Sequence, residues 1–155
     1  MLKINSLAPD FTATLSSGEQ FTLSENKGTN IILYFYPRAF TYGCTIETKS
    51  FGDAYEEIKS LNGIVVGISA DEVGTLDQFA TSCYSPFELA SDSTGEIRKL
   101  YDVQRKFNLG TSRVTYVIDT NGVIQNVIHN EVLMNIHVTA SLKALREVDT
   151  GTIKA

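Results

Sequence analysis

Residues 31–49, IILYFYPRAFTYGCTIETK, decide how the rest of this 155-residue chain is read. The run at 31–36 is unbroken, apolar, β-branched and aromatic, which predicts a strand buried on both faces. Pro37 has no N–H to give to a ladder and ends it. Downstream, Phe51, Ala54, Tyr55, Ile58 and Leu61 recur at helical spacing, and Asn62-Gly63 supplies the stop. The loop between strand and helix delivers Cys44 to the helix's first turn, where backbone N–H groups lack partners and favour an anion. A thiol held in such a place ionises more readily. Strand, loop and cysteine together predict a nucleophile site.

Composition narrows the classes. The length predicts one domain over residues 1–155, enough to bury roughly 70% of the unfolded surface. A net charge of −5 without a basic cluster argues against nucleic-acid and anionic-membrane partners. The start, MLKINSLAPDF, has no signal-like apolar core, and no run approaches membrane-spanning length, so a cytoplasmic location is expected. Two cysteines without a Cys-x-x-Cys pair are too few for a disulfide scaffold or a thiolate metal cage. In a reducing compartment each thiol is either buried filler or catalytic.

Outward from that stretch, alternation at 11–15 and 21–23 around Ser16-Ser17-Gly18-Glu19 predicts an amino-terminal β-hairpin. A β-branched run at 64–69 is reached through the Cys44 helix, so it should pair in parallel with 31–36. Leu76, Phe79, Ala80 and Cys83 mark a shorter helix stopped by Ser85-Pro86, and 87–90 reads as a short strand. Ser93-Thr94-Gly95-Glu96 predicts a capped helix through Val103, with Ile97, Leu100 and Tyr101 inward. Segments 114–118 and 123–128 flank Asn121-Gly122, which predicts a hairpin with a two-residue turn. A last helix is expected from about 138 to 148, with Leu142, Leu145 and Val148 inward. This order predicts a thioredoxin-like α/β fold: a central mixed sheet flanked by helices, with an N-terminal hairpin extension.

The octet Pro37-Arg38-Ala39-Phe40-Thr41-Tyr42-Gly43-Cys44 fits Pro, three residues, Thr, two residues, Cys, the peroxiredoxin signature. Together with Ala8-Pro9-Asp10-Phe11, the 33–37 block, Gly43-Cys44-Thr45 and the 113–119 block, it resembles the bacterioferritin-comigratory, or Q-type, branch over nearly the whole chain. The resemblance implies thiol-dependent reduction of hydrogen peroxide and organic hydroperoxides, with Cys44 as the peroxidatic nucleophile left as sulfenic acid. A thiol of pKa about 8.5 is already a few per cent ionised at neutral pH, so full ionisation gains only about 30-fold. Donors aimed at the breaking O–O bond must supply the rest. The family assigns these to backbone N–H groups, here of Gly43 and Cys44, to the Thr41 hydroxyl and to Arg113, which makes Gly43, Thr41 and Arg113 the substrate-binding set. Arg113 is plausible from topology too, since a strand starting at Val114 antiparallel to 31–36 begins where the latter ends. Pro37 would close one side of the pocket, and Glu47, one turn into the helix, would orient Arg113.

Several positions have a second reading. Thr41 can be an N-cap, Pro37 a strand terminator and Glu47 a first-turn acid favoured by the dipole. Many Q-type members resolve the sulfenic acid with a cysteine five residues on, but Lys49 stands there; others carry the partner in the following helix, where Cys83 lies. Cys83 as resolving thiol and Cys83 as core filler both stay open. A disulfide needs Cα atoms within about 7 Å. Cys83 lies about 10 Å along its own helix, so bridging would melt residues 41–50 or 75–84. Tyr42 replaces the family's usual proline, which leaves the loop less rigid. His129 and His137 fit no Cys-His spacing, and His137 reads as structural. The implied partners are a hydroperoxide and a thioredoxin-like dithiol, with no metal, flavin or haem; a monomer or weak homodimer is expected. A one-cysteine peroxidase reduced by external thiol and a redox sensor or chaperone-like member are the alternatives.

Overall fold

A computed structural model describes residues 1–108 and 110–149, the side chains of 108 and 149 excepted. Seven strands form one mixed sheet: β1 (Thr12–Leu15), β2 (Gln20–Thr22), β3 (Asn30–Phe35), β4 (Gly63–Ser69), β5 (Leu89–Ser91), β6 (Val114–Ile118) and β7 (Ile124–His129). Their order is β2-β1-β5-β4-β3-β6-β7. β4 is parallel to both β3 and β5, and the remaining pairs are antiparallel. The helices are α1 (Tyr42–Ser60), α2 (Val73–Ser82), α3 (Glu96–Leu100) and α4 (Met134–Asp149). This is the thioredoxin-like architecture with the added amino-terminal hairpin.

The strand β3 is the centre of it. Every residue from Asn30 to Tyr36 is buried, and alternate side chains feed two separate cores. Ile32, Tyr34 and Tyr36 pack with α1, α2 and α4, whereas Ile31, Leu33 and Phe35 pack with the hairpin and Tyr101. Tyr36 N–H still donates to the Ile68 carbonyl (3.1 Å), and Pro37 stops the ladder immediately after.

Four local expectations need correction. The α3 segment is five residues long, not eight, because Asp102 takes a left-handed backbone (φ 53°) and the Asp102 and Val103 amides turn back to the Lys99 and Arg98 carbonyls at 3.1 and 2.9 Å. Leu100 is exposed while Ile97 and Tyr101 face inward. The β6–β7 connection is a three-residue loop, 120–122, since Asp119 N–H pairs with the Val123 carbonyl and the buried Asp119 carboxylate collects the Asn121 and Val123 amides. Gly122 takes the positive φ (80°) that this loop requires. Finally, α4 starts at Met134, four residues early, after Asn130 Oδ1 accepts the Val132 and Leu133 amides.

Candidate active site

The geometry of β3 and β6 creates the site. Phe35 is in register with Val114 across an antiparallel pair, so Arg113 lies just beyond the point where β3 finishes. The Arg113 amide donates to Glu131 Oε2 (3.0 Å), which anchors the residue from the β7–α4 connection. Its side chain is buried and reaches the start of α1. There the guanidinium divides its donors. Nη1 donates to Glu47 Oε1 at 2.8 Å, and Nη2 lies 3.4 Å from the Cys44 sulfur. Glu47 is one helical turn after Cys44 on the same face, which is why one planar guanidinium spans both.

Cys44 is the third residue of α1. Thr45 is the residue that begins the helical ladder, donating to the Thr41 carbonyl (2.9 Å), so the amides of Tyr42, Gly43 and Cys44 precede it and point toward the helix start. Gly43 sits in close packing. A Cβ there would come within 3.2 Å of both Arg113 Nη2 and the Met134 methyl. The Cys44 sulfur has no exposed surface, so it is seated beneath the loop rather than open at a mouth.

Thr41 occupies the N-cap position in extended conformation but makes no side-chain cap; its hydroxyl donates to the Arg38 carbonyl (2.8 Å). Pro37 is half-buried, and Tyr42 is exposed to solvent. Phe40 holds a left-handed backbone (φ 63°), unusual for an aromatic residue, and its ring lies 5.2 Å from Phe79 of α2. The Ala39 amide donates to Asp71 Oδ2 (2.8 Å), which also accepts from Ser69. Asp71, Glu131 and Met134 were not singled out from sequence. Asp71 and Glu131 stand in connections and Met134 at the start of α4, all far along the chain, and only the closure of the sheet brings them to the site.

Cys83 is the C-cap of α2, one residue past the helix, and is buried. The Ser82 hydroxyl is 3.9 Å from its sulfur, and burial pushes the Cys83 thiol up. Both cysteines are free thiols in the same apolar cluster. His137 lies in the first turn of α4 and His129 at the end of β7, where it bonds with Glu131 (2.9 Å). Among the described residues no cluster of ligands suits a metal, and no helix is long and apolar enough to cross a membrane.

Comparison with known proteins adds independent ground. A model of the AhpC/TSA family matches residues 4–127. A chloroplastic peroxiredoxin Q of Oryza sativa subsp. japonica is 36% identical over 144 residues, 92% of this chain; the chain spans 66% of that relative's length. The crystal structure of peroxidoxin BcpB from Mycobacterium tuberculosis superposes with a TM-score of 0.89 at 30% identity, over 100% of both chains. The Xanthomonas campestris bacterioferritin comigratory protein, studied for alkyl peroxide reduction, gives 0.84 at 28% identity over 90% of this chain and 92% of that one. The chain belongs to the AhpC/TSA family and, within it, to the peroxiredoxin Q or bacterioferritin-comigratory type.

Proposed function

We propose that this protein is a thiol-dependent peroxidase that reduces hydroperoxides at Cys44. The observation that carries the reading is the buried guanidinium of Arg113 shared between the Cys44 sulfur and the Glu47 carboxylate at the start of a helix. The sulfur gives an electron pair to one peroxide oxygen, and the O–O bond breaks with its pair going to the other. That second oxygen leaves as water or alcohol once protonated, and the sulfur becomes a sulfenic acid. Arg113 and the amides of Gly43 and Cys44 stabilise the charge as it moves. Because the sulfur is covered, entry of peroxide needs the 37–41 loop to shift; the Thr41 hydroxyl then exchanges the Arg38 carbonyl for substrate, and Pro37 limits water.

Cys83 then attacks the sulfenic acid, releasing water and forming a disulfide that a thioredoxin-like dithiol reduces. Phe40 resting on Phe79 supports this step, because it ties the Cys44 loop to the helix that ends at Cys83. We place the enzyme in the cytoplasm, as a monomer or weak homodimer, where such a dithiol is available.

Stopped-flow peroxide consumption with thioredoxin supplied tests the reading. Cys44→Ser should consume none, and Cys83→Ser should complete one turnover and stop. Mass spectrometry after one equivalent of peroxide should show loss of two hydrogens in the wild type and gain of one oxygen in Cys83→Ser. Full turnover by Cys83→Ser removes the disulfide step and leaves a one-cysteine peroxidase. Slow consumption with a long-lived oxidised form makes the protein a sensor.

A further inference from the structure

The polar chain that starts at the Cys44 sulfur does not stop at Glu47. The Glu47 carboxylate is fully buried; Oε1 accepts from Arg113, but Oε2 has no hydrogen-bond partner. Facing Oε2 at 3.6 Å is Nδ1 of His137, also fully buried. The other ring nitrogen decides the tautomer. Nε2 sits 2.8 Å from the Asn130 carbonyl, which only accepts, so Nε2 carries a hydrogen. Nδ1 lies 2.7 Å from the Thr115 hydroxyl.

With Glu47 ionised and the ring neutral, the Thr115 hydroxyl donates to Nδ1, and the carboxylate oxygen faces a nitrogen lone pair with no proton between them. A buried carboxylate oxygen left in that way is costly. One proton added to the pair, on either atom, removes the conflict. The charge count agrees. With the sulfur ionised, the single positive charge of Arg113 faces two anions, Cys44 and Glu47, and a proton on the pair brings the group to neutrality. Burial pushes the Glu47 carboxyl up to about 7 against the pull of Arg113, and burial also holds His137 below the usual imidazole range.

We propose, on the reading of Cys44 as the peroxidatic thiol, that Glu47 and His137 share one proton and thereby leave the charge of Arg113 to the sulfur. His137 is then a positioning residue for the reaction, acting through Glu47 and Arg113. The other charged or titratable groups facing the pair are the buried Tyr34 on β3 and Tyr36 just after it, Glu131 before α4 and His129 on β7, with Arg105 behind Glu131. Although burial opposes it, bonds from the Arg113 amide, His129 and Arg105 hold Glu131 below its ordinary value, so its charge is constant through neutrality.

Two titrations test this. Thiolate absorbance is followed against pH in Cys83→Ser protein with the signal of the Cys44→Ser, Cys83→Ser double variant subtracted, and the ring proton of His137 is followed by NMR. The chain has two histidines, so His129→Gln assigns the signal. The His137 signal should move around neutrality, and the thiolate should appear in two linked steps. Glu47→Gln keeps an acceptor for Arg113 and offers a donor to Nδ1; it should flatten the ring signal and lower the thiolate midpoint by about one pH unit. His137→Gln keeps a donor for Asn130 without a proton site at Nδ1, and should raise the midpoint. A ring signal flat from about pH 5 to 9, or thiolate midpoints that coincide in all three proteins, overturns the proposal. The ring signal needs no change in the network, so it decides even where a variant fails to fold. Absence of peroxidase activity in the wild type would sink the reading of Cys44 without touching either titration.

Discussion

Cys44 and Cys83 are buried thiols of one apolar cluster, yet they sit at opposite ends of their helices. Cys44 is in the first turn of α1, among amide hydrogens; Cys83 caps α2, where the last carbonyls gather. A helix terminus is worth only about 0.3–1 kcal/mol to a nearby charge, less than one pH unit at about 1.4 kcal/mol. The larger difference is therefore Arg113, whose Nη2 is 3.4 Å from one sulfur, while the other has a Ser82 hydroxyl at 3.9 Å. Two buried thiols are set apart by what replaces the water. On the proposed mechanism the sulfur beside the guanidinium reacts first, and Cys83, whose thiol burial pushes up, follows once its helix end opens.

The sharpest way to break the contrast is to remove the guanidinium. Arg113→Met should lower the peroxide reaction rate at least about 100-fold, the scale of losing one aimed donor. It should also cost about 3–5 kcal/mol above neutral pH, because Glu47 is left buried without its partner. Acidification should recover part of the stability as Glu47 takes a proton. Denaturant melts at several pH values check both arms.

Glu47 gives the next largest effect, and its sign is definite. Its carboxyl is raised from an ordinary value of 4.5 to about 7, so the folded state holds a proton that the unfolded state loses. Stability is full below about 4.5 and declines as pH rises toward 7, by about 3 kcal/mol for the whole shift. Glu47→Gln should be free of that decline, and the difference in melting temperature from wild type should move in its favour over this window.

The smallest effect belongs to the other end of the comparison. The α2 helix closes with Ser85 N–H to the Ala80 carbonyl (3.0 Å) and Tyr84 N–H to that of Thr81 (3.1 Å), a Schellman arrangement whose left-handed residue is Tyr84 (φ 50°) rather than glycine. Tyr84 is also 91% exposed, so its side chain offsets little of the strain. Tyr84→Gly should stabilise the fold by about 0.5–1 kcal/mol and slow opening of residues 75–84 as read by hydrogen exchange. Unchanged exchange there would separate the cap from the release of Cys83.

Much of the fold was legible because it was written in short-range terms. The unbroken run at 31–36, the helical spacing from Phe51 to Ile58 and the proline between them specify strand, stop and helix by local sterics and burial, and β3 and α1 follow them closely. Errors fell where a distant or irregular partner overrode the local signal: Asp102 taking the left-handed backbone that closes α3 before Val103, and Asn130 starting α4 early. The sequence by itself determined that a cysteine would stand at a helix start after a buried strand, and that Arg113 would fall near it through strand pairing. Tertiary structure alone decided that Arg113 is divided between Cys44 and Glu47, and that Glu47 faces His137, 90 positions away. The reason is physical: periodicity encodes which face of an element is buried, whereas the proton and charge balance of a buried group depends on atoms that only packing brings within a few ångströms.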